Sequence, residues 1–107
     1  MVTFNDISKA VSALAEIYPI TSCYLFGSYA RGEAREDSDV DLIIDLSEDI
    51  TYLTLERMQI ELSDILVLPV DLKTMNALKA NPLFYKYIKD DLVEVFTTYD
   101  SDRRLIV

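Results

Sequence analysis

The sequence predicts an α/β protein with a small mixed β-sheet and helices mainly on one face. Segments with helical apolar spacing alternate with short runs of β-branched and aromatic residues, in the order α-β-α-β-α-β-α-β. The segment between the first two strands is too short for a standard parallel crossover, so we expect a mixed sheet. Half of the 107 residues are hydrophobic, which suits one domain over 1–107, with 98–107 as a candidate flexible tail.

The helices follow from apolar spacing and from proline positions. In the predicted helix at 5–17 the apolar residues recur every three or four positions, and Pro19 ends this pattern. Pro69 ends the pattern of the third helix, at 51–66, in the same way. The expected apolar stripe of the third helix consists of Leu55, Met58, Leu62, Ile65 and Leu66. We expect helices at 5–17, 51–66, 75–79 and 82–89, and a short helix that Ser28 caps and that stops near Gly32.

The predicted strands cover 21–26, 40–45, 70–73 and 92–97. The second alternates clearly, so that Val40, Leu42 and Ile44 face the core. Asp39, Asp41 and Ile43 then face the other way. We expect that second face of the sheet to carry the carboxylates and to stay open.

Three aspartates on this face are candidate metal ligands. Asp39 and Asp41 lie about 6.6 Å apart along one side of a strand, where two carboxylates can hold one magnesium ion or bridge a pair. Asp71 also faces away from the core, because its neighbours Val70 and Leu72 point the opposite way. Taken singly, each feature also fits a solvated acidic strand edge.

Both glycines of the chain lie in one stretch, Leu25-Phe26-Gly27-Ser28-Tyr29-Ala30-Arg31-Gly32. Glycine lets a backbone approach a phosphate closely, and the amides after Gly27, with the Ser28 hydroxyl, can bind an anion. A plain strand-to-helix turn with a serine cap is the alternative. Arg31 can either reach phosphate oxygens or brace the turn against the acidic loop that follows.

Composition excludes several functions. The formal charge of -9, from 19 acidic and 10 basic residues, disfavours binding to duplex nucleic acid. The chain has no histidine, which removes serine triads and zinc-protease helices, and its two glycines cannot form a Walker A loop. Cys23 is its one cysteine and is expected to be buried. No apolar run is long enough for a bilayer and no signal-peptide layout is present, so we expect a cytoplasmic protein.

The combined pattern closely resembles the DNA polymerase β-like nucleotidyltransferase superfamily. Gly27-Ser28 is followed by ten residues, then Asp39-Val40-Asp41, and later by Asp71 on another strand. The run GSYARGEAREDSDVDLIID is similar to the minimal nucleotidyltransferase branch, and the resemblance extends over about 1–97.

This resemblance implies the small mixed-sheet nucleotidyltransferase fold and a magnesium-dependent enzyme, with two ions expected. Asp39, Asp41 and Asp71 would be its catalytic metal ligands. Gly27 and Ser28 would bind the triphosphate, with Arg31 as a further nucleotide contact. Many relatives transfer AMP from ATP to a hydroxyl. Those of this size are similar to the antitoxin halves of toxin–antitoxin pairs, which adenylylate HEPN-type ribonuclease toxins.

Two other functions stay open. An acidic binding module would block a basic toxin by covering it, without any chemistry. Alternatively, the enzyme would act on a small molecule, with a separate subunit completing the acceptor site.

Overall fold

The computed structural model describes residues 2–98, and these form one mixed four-stranded sheet with helices packed on it. The predicted tail at 98–107 lies, apart from Thr98, outside the described residues. The elements are α1 (Phe4–Ala15), β1 (Ile20–Phe26), α2 (Gly27–Ala30), β2 (Val40–Leu46), α3 (Tyr52–Leu66), β3 (Val70–Thr74), α4 (Met75–Lys79), α5 (Pro82–Ile88), a 3-10 turn (Lys89–Asp91) and β4 (Val93–Thr97).

The sheet has the strand order β3-β2-β1-β4 and confirms the mixed topology. β1 runs antiparallel to both β2 and β4, whereas β2 and β3 are parallel. The short β1–β2 connection produces an antiparallel pair, while the longer segment containing α3 provides the crossover to the parallel strand. As a result β3, which carries Asp71, is an edge strand beside β2.

The main core lies between the sheet and the two long helices. Val40, Leu42 and Ile44 are almost completely buried there, as the alternation of β2 predicts. Met58, Leu62 and Leu66 of α3 join them. These three helix residues are spaced four positions apart. Ile65 lies about 100° around the helix axis from Leu66 and is 52% exposed. The prediction that Ile65 belongs to the stripe facing the core is therefore wrong.

The opposite face of the sheet is only partly open, which corrects the expectation of an open face. Ile43 is fully buried beneath α4 and α5, in a second small cluster with Met75, Leu78 and Ile88. The apolar residues of the two short helices pack on this face because β2 has an isoleucine there. The carboxylates therefore lie at the border of a small hydrophobic cluster, at the beginning of β2 and β3.

α3 ends in an unusual conformation. Its C-cap residue, Val67, has a left-handed backbone with φ of 56° and is 82% exposed. A β-branched residue is strained in this region, which glycine occupies more readily. No helix within residues 2–98 is both long and apolar enough to cross a membrane.

Candidate active site

Asp41 and Asp71 lie side by side on parallel strands. They are direct register partners across β2 and β3, so both side chains project from the same face of the sheet. Neighbouring strands are about 4.8 Å apart, which places the two carboxylates next to each other. The structure thus brings together two of the three predicted acidic residues, through a parallel pairing that joins positions far apart in the sequence.

Asp39 lies just before β2 and is exposed. Its alternation with Asp41 places it on the same side of the chain, and its negative charge contributes to the electrostatics of Asp41. It is the outermost of the three carboxylates.

The environment of Asp41 disfavours its charged form. Partial burial is the largest cause that raises the pKa of this carboxyl above its ordinary value of 3.8, and the negative charge of Asp71 follows. Asp39 raises the pKa further, while the cations Lys73 and Arg31 lower it. Asp71 and Asp39 both place negative charge near Asp41, so a cation bound here would favour its ionised form.

Gly27 places the turn after β1 directly against Asp41. Phe26, the last residue of β1, is the register partner of Asp41, and Gly27 follows it with φ of 73°. A β-carbon on Gly27 would lie 3.3 Å from Cγ of Asp41 and would overlap its Oδ2 oxygen. Glycine is needed here both for its backbone conformation and for the space that it leaves to the carboxylate.

Ser28 does not cap the helix that follows, so this prediction is wrong. The N-cap of α2 is Phe26, in an extended conformation and without a capping side chain, because the helix begins immediately at Gly27. The Ser28 hydroxyl, half-buried, has no hydrogen-bond partner among the residues that the structure describes. It is therefore available to a ligand.

Arg31 braces the turn, one of the two roles considered for it. Its Nε donates a hydrogen bond to Oε1 of Glu33 at 2.8 Å, in an exposed ion pair. This contact raises the pKa of the Arg31 guanidinium. Arg31 also lies close enough to Asp41 to lower the pKa of that carboxyl.

Lys73 is a site residue that the sequence analysis missed. Its ammonium forms an ion pair with Oδ2 of Asp71 and lies 5.9 Å from the centroid of the Phe26 ring. The available signal was its position two residues after Asp71, which places both side chains on one face of β3. Because lysines on edge strands are common, that signal alone does not indicate a site residue.

The carboxylates suit magnesium by their chemistry, since this ion prefers oxygen ligands. Within residues 2–98, no three acidic or cysteine side chains are spaced to hold one metal ion. The Lys73 ammonium already contacts one oxygen of Asp71. Asp41 and Asp71 fit as paired ligands of such an ion, with Asp39 beside them.

Cys23 is fully buried in β1, as predicted, and burial raises the pKa of its thiol. It lies in the main core, away from the carboxylates, and takes no part in the site.

Comparison with known proteins identifies similar chains. Residues 7–95 match the family model described as a nucleotidyltransferase domain. A chain from Methanocaldococcus jannaschii, provisionally named a protein adenylyltransferase, is 42% identical over 99 residues, covering 89% of this chain and all of that relative. The protein adenylyltransferase MntA of Thermococcus cleftensis is 37% identical over 84 residues, covering 75% of this chain and 85% of the relative.

A solved structure shares the fold. In the complex of the tri-AMPylated HEPN toxin of Shewanella oneidensis with its MNT antitoxin, one chain matches with a TM-score of 0.68 and 19% sequence identity. The match covers 92% of this chain and 75% of the other. At this identity the likeness concerns the fold alone, and it agrees with the fold predicted from the sequence.

Proposed function

We propose, because this chain belongs to the nucleotidyltransferase domain family, that it transfers AMP from ATP to a hydroxyl of a partner protein. The relatives named protein adenylyltransferases support the reaction, and the AMPylated toxin in the Shewanella complex supports a HEPN-type ribonuclease toxin as the partner. The chain would then be the antitoxin of such a pair and would act in the cytoplasm.

The observation that carries this proposal is the alignment of Asp41 with Asp71, beside a turn at Gly27 that leaves no room for a β-carbon next to the Asp41 carboxylate. The triphosphate would lie against Gly27 and Ser28, whose free hydroxyl can donate a hydrogen bond to a phosphate oxygen. Arg31, at the end of the same turn, adds positive charge. Asp41 and Asp71 would hold magnesium as paired ligands, with Asp39 beside them as the third carboxylate, and the bound ion would neutralise charge on the attacking and leaving oxygens.

The reaction would proceed by in-line attack of the acceptor hydroxyl on the α-phosphorus of ATP. The new bond joins the acceptor oxygen to this phosphorus, and the bond to the β-phosphate oxygen breaks, so that pyrophosphate leaves. Asp71, on the edge strand, would accept the proton of the hydroxyl. Such a mechanism needs no histidine, in agreement with a chain that has none.

The test is co-purification of the chain with its bound proteins from the native host, followed by intact-mass measurement. We expect a partner that is heavier by one or more adenylates with the wild-type chain and unmodified with Asp39→Asn. A partner of equal mass in both preparations would contradict the proposed transfer.

The charge of -9 favours a second candidate, an antitoxin that blocks a basic toxin by binding alone. Inhibition of the toxin without nucleotide, undiminished by Asp39→Asn, would support this candidate. Inhibition that requires ATP would exclude it. A third candidate, transfer to a small molecule, would be supported by a modified small product and an unmodified partner.

A further inference from the structure

Lys73 pairs with one acidic residue of the site and lies near the ring of the residue before the glycine turn. Its ammonium is paired with Asp71, which belongs to the acidic group. The same ammonium lies 5.9 Å from the centre of the Phe26 ring, and Phe26 immediately precedes Gly27. A single flexible side chain thus connects the two halves of the site.

Two further observations separate Lys73 from an ordinary surface lysine. Its side chain is only 38% exposed, although β3 is an edge strand. It also lies on the same face of the sheet as Asp41, because Asp41 is the register partner of Asp71 and Lys73 follows Asp71 by two residues. Arg31, the other cation that acts on Asp41, is paired with Glu33 outside the acidic group, whereas Lys73 is paired with Asp71 within it.

We propose that Lys73 is a triphosphate-binding residue whose ammonium neutralises Asp71 as long as no metal and nucleotide are bound. The inference rests on the proposed function, because it concerns the same site. A divalent cation and the Lys73 ammonium compete for the same carboxylate oxygen of Asp71. An ammonium released from Asp71 would remain near the Phe26 ring, whose centre is 5.9 Å away and which immediately precedes the Gly27-Ser28 turn.

This exchange has a chemical consequence for Asp71. In the empty protein the Lys73 ammonium contacts Oδ2 of Asp71, the oxygen that a divalent cation would otherwise take. When the ammonium contacts a phosphate instead, Asp71 loses that partner. Lys73 would thus neutralise the acidic group in the ligand-free protein and bind the anionic triphosphate when metal and nucleotide are present. Lysine suits both roles because its ammonium has three hydrogen-bond donors on a flexible side chain.

The chain offers a matched control for a test of this idea. Lys79 is exposed, and its ammonium lies 6.0 Å from the centre of the Tyr85 ring, but it contacts none of the acidic residues of the site. Lys79→Met therefore removes the same charge and the same type of ring contact as Lys73→Met. Lys73→Arg keeps the charge and serves as the conservative variant.

The experiment measures two equilibrium affinities of the full chain by titration calorimetry. One is for Mn²⁺ alone, and the other is for α,β-methylene-ATP with Mg²⁺, an analogue whose α–β bond cannot be hydrolysed. We expect Lys73→Met to bind Mn²⁺ alone several-fold more tightly than wild type, since the competing ammonium is gone. The same variant should bind the nucleotide about tenfold more weakly.

Lys79→Met should leave both affinities unchanged, and Lys73→Arg should restore most of the nucleotide affinity. Wild-type affinity of Lys73→Met for either ligand would overturn the inference, whereas a wild-type chain that binds no nucleotide would contradict the proposed function itself. Should the methionine variant melt early, Lys73→Gln, which is polar and suited to an exposed edge strand, replaces it with the same expected outcomes.

Discussion

The two glycines of this chain provide a natural pair for a test of the site. Gly27 and Gly32 have almost the same backbone conformation, with φ of 73° and 72°. They differ in their surroundings, because a β-carbon on Gly27 would overlap the carboxylate of Asp41, whereas one on Gly32 would meet nothing within 4 Å. Gly27→Ala and Gly32→Ala therefore share the backbone strain, and only the first displaces Asp41.

The shared strain of alanine in the left-handed region is about 1–2 kcal/mol. For a domain of this size, each kcal/mol lowers the melting temperature by about 4–8 °C. Gly27→Ala carries the additional cost of moving the carboxylate, so its melting temperature should fall at least as far as that of Gly32→Ala.

The effects on activity should separate the two variants. A displacement of a catalytic group by about 1 Å can cost about 100-fold in rate, so Gly27→Ala should lose nearly all AMP transfer at saturating ATP. Gly32→Ala should keep activity close to wild type when assayed below its melting temperature. The assay is transfer of label from ATP to the co-purified partner, beside thermal melts of both variants.

Two results would refute this reasoning. Wild-type transfer by Gly27→Ala would mean that the contact between the turn and Asp41 is irrelevant to the reaction. Equal loss of transfer in both variants, with both folded, would mean that backbone strain alone explains the defect.

The remaining predictions concern stability. Burial and the charge of Asp71 raise the pKa of Asp41, so its ionised form destabilises the folded protein at neutral pH. Asp41→Asn should therefore raise the melting temperature of the ligand-free chain. This gain in stability should shrink as the pH falls through the raised pKa of Asp41, and it should vanish below pH 3.8, the ordinary pKa of the carboxyl. A gain that is constant over the pH range would refute the electrostatic explanation. Val67→Gly should stabilise the chain by about 1 kcal/mol in urea unfolding, because it relieves the left-handed strain at the end of α3, and a loss of stability would contradict that assignment.

Much of the fold was predictable from local patterns. The alternation in β2 correctly placed Val40 in the core and Asp41 on the opposite face, and proline positions marked the ends of the long helices. The error at Ile65 arose because a stripe defined by apolar residues is wider than the surface that the sheet covers. The covered half of the second face was missed because the pairing of short helices with Ile43 depends on tertiary packing.

The candidate residues of the site could be named from the sequence, but their geometry could not. The parallel alignment of Asp41 with Asp71 depends on the order of strands in the sheet, which no local pattern specifies. The ion pair between Lys73 and Asp71 was missed for a different reason: side chains two apart on a strand share a face, but only their rotamers decide whether they meet.

Label transfer from ATP to the partner protein tests the central claim most directly, with the α-phosphate labelled in one experiment and the γ-phosphate in another. The chains to compare are wild type, Asp41→Asn and Asp45→Asn; Asp45 lies on the same face of β2 as Asp41 but at the other end of the strand. The account predicts that the α-label reaches the partner with wild type and Asp45→Asn, that Asp41→Asn transfers none, and that the γ-label is never transferred. Undiminished α-label transfer by Asp41→Asn, or γ-label on the partner, would contradict it.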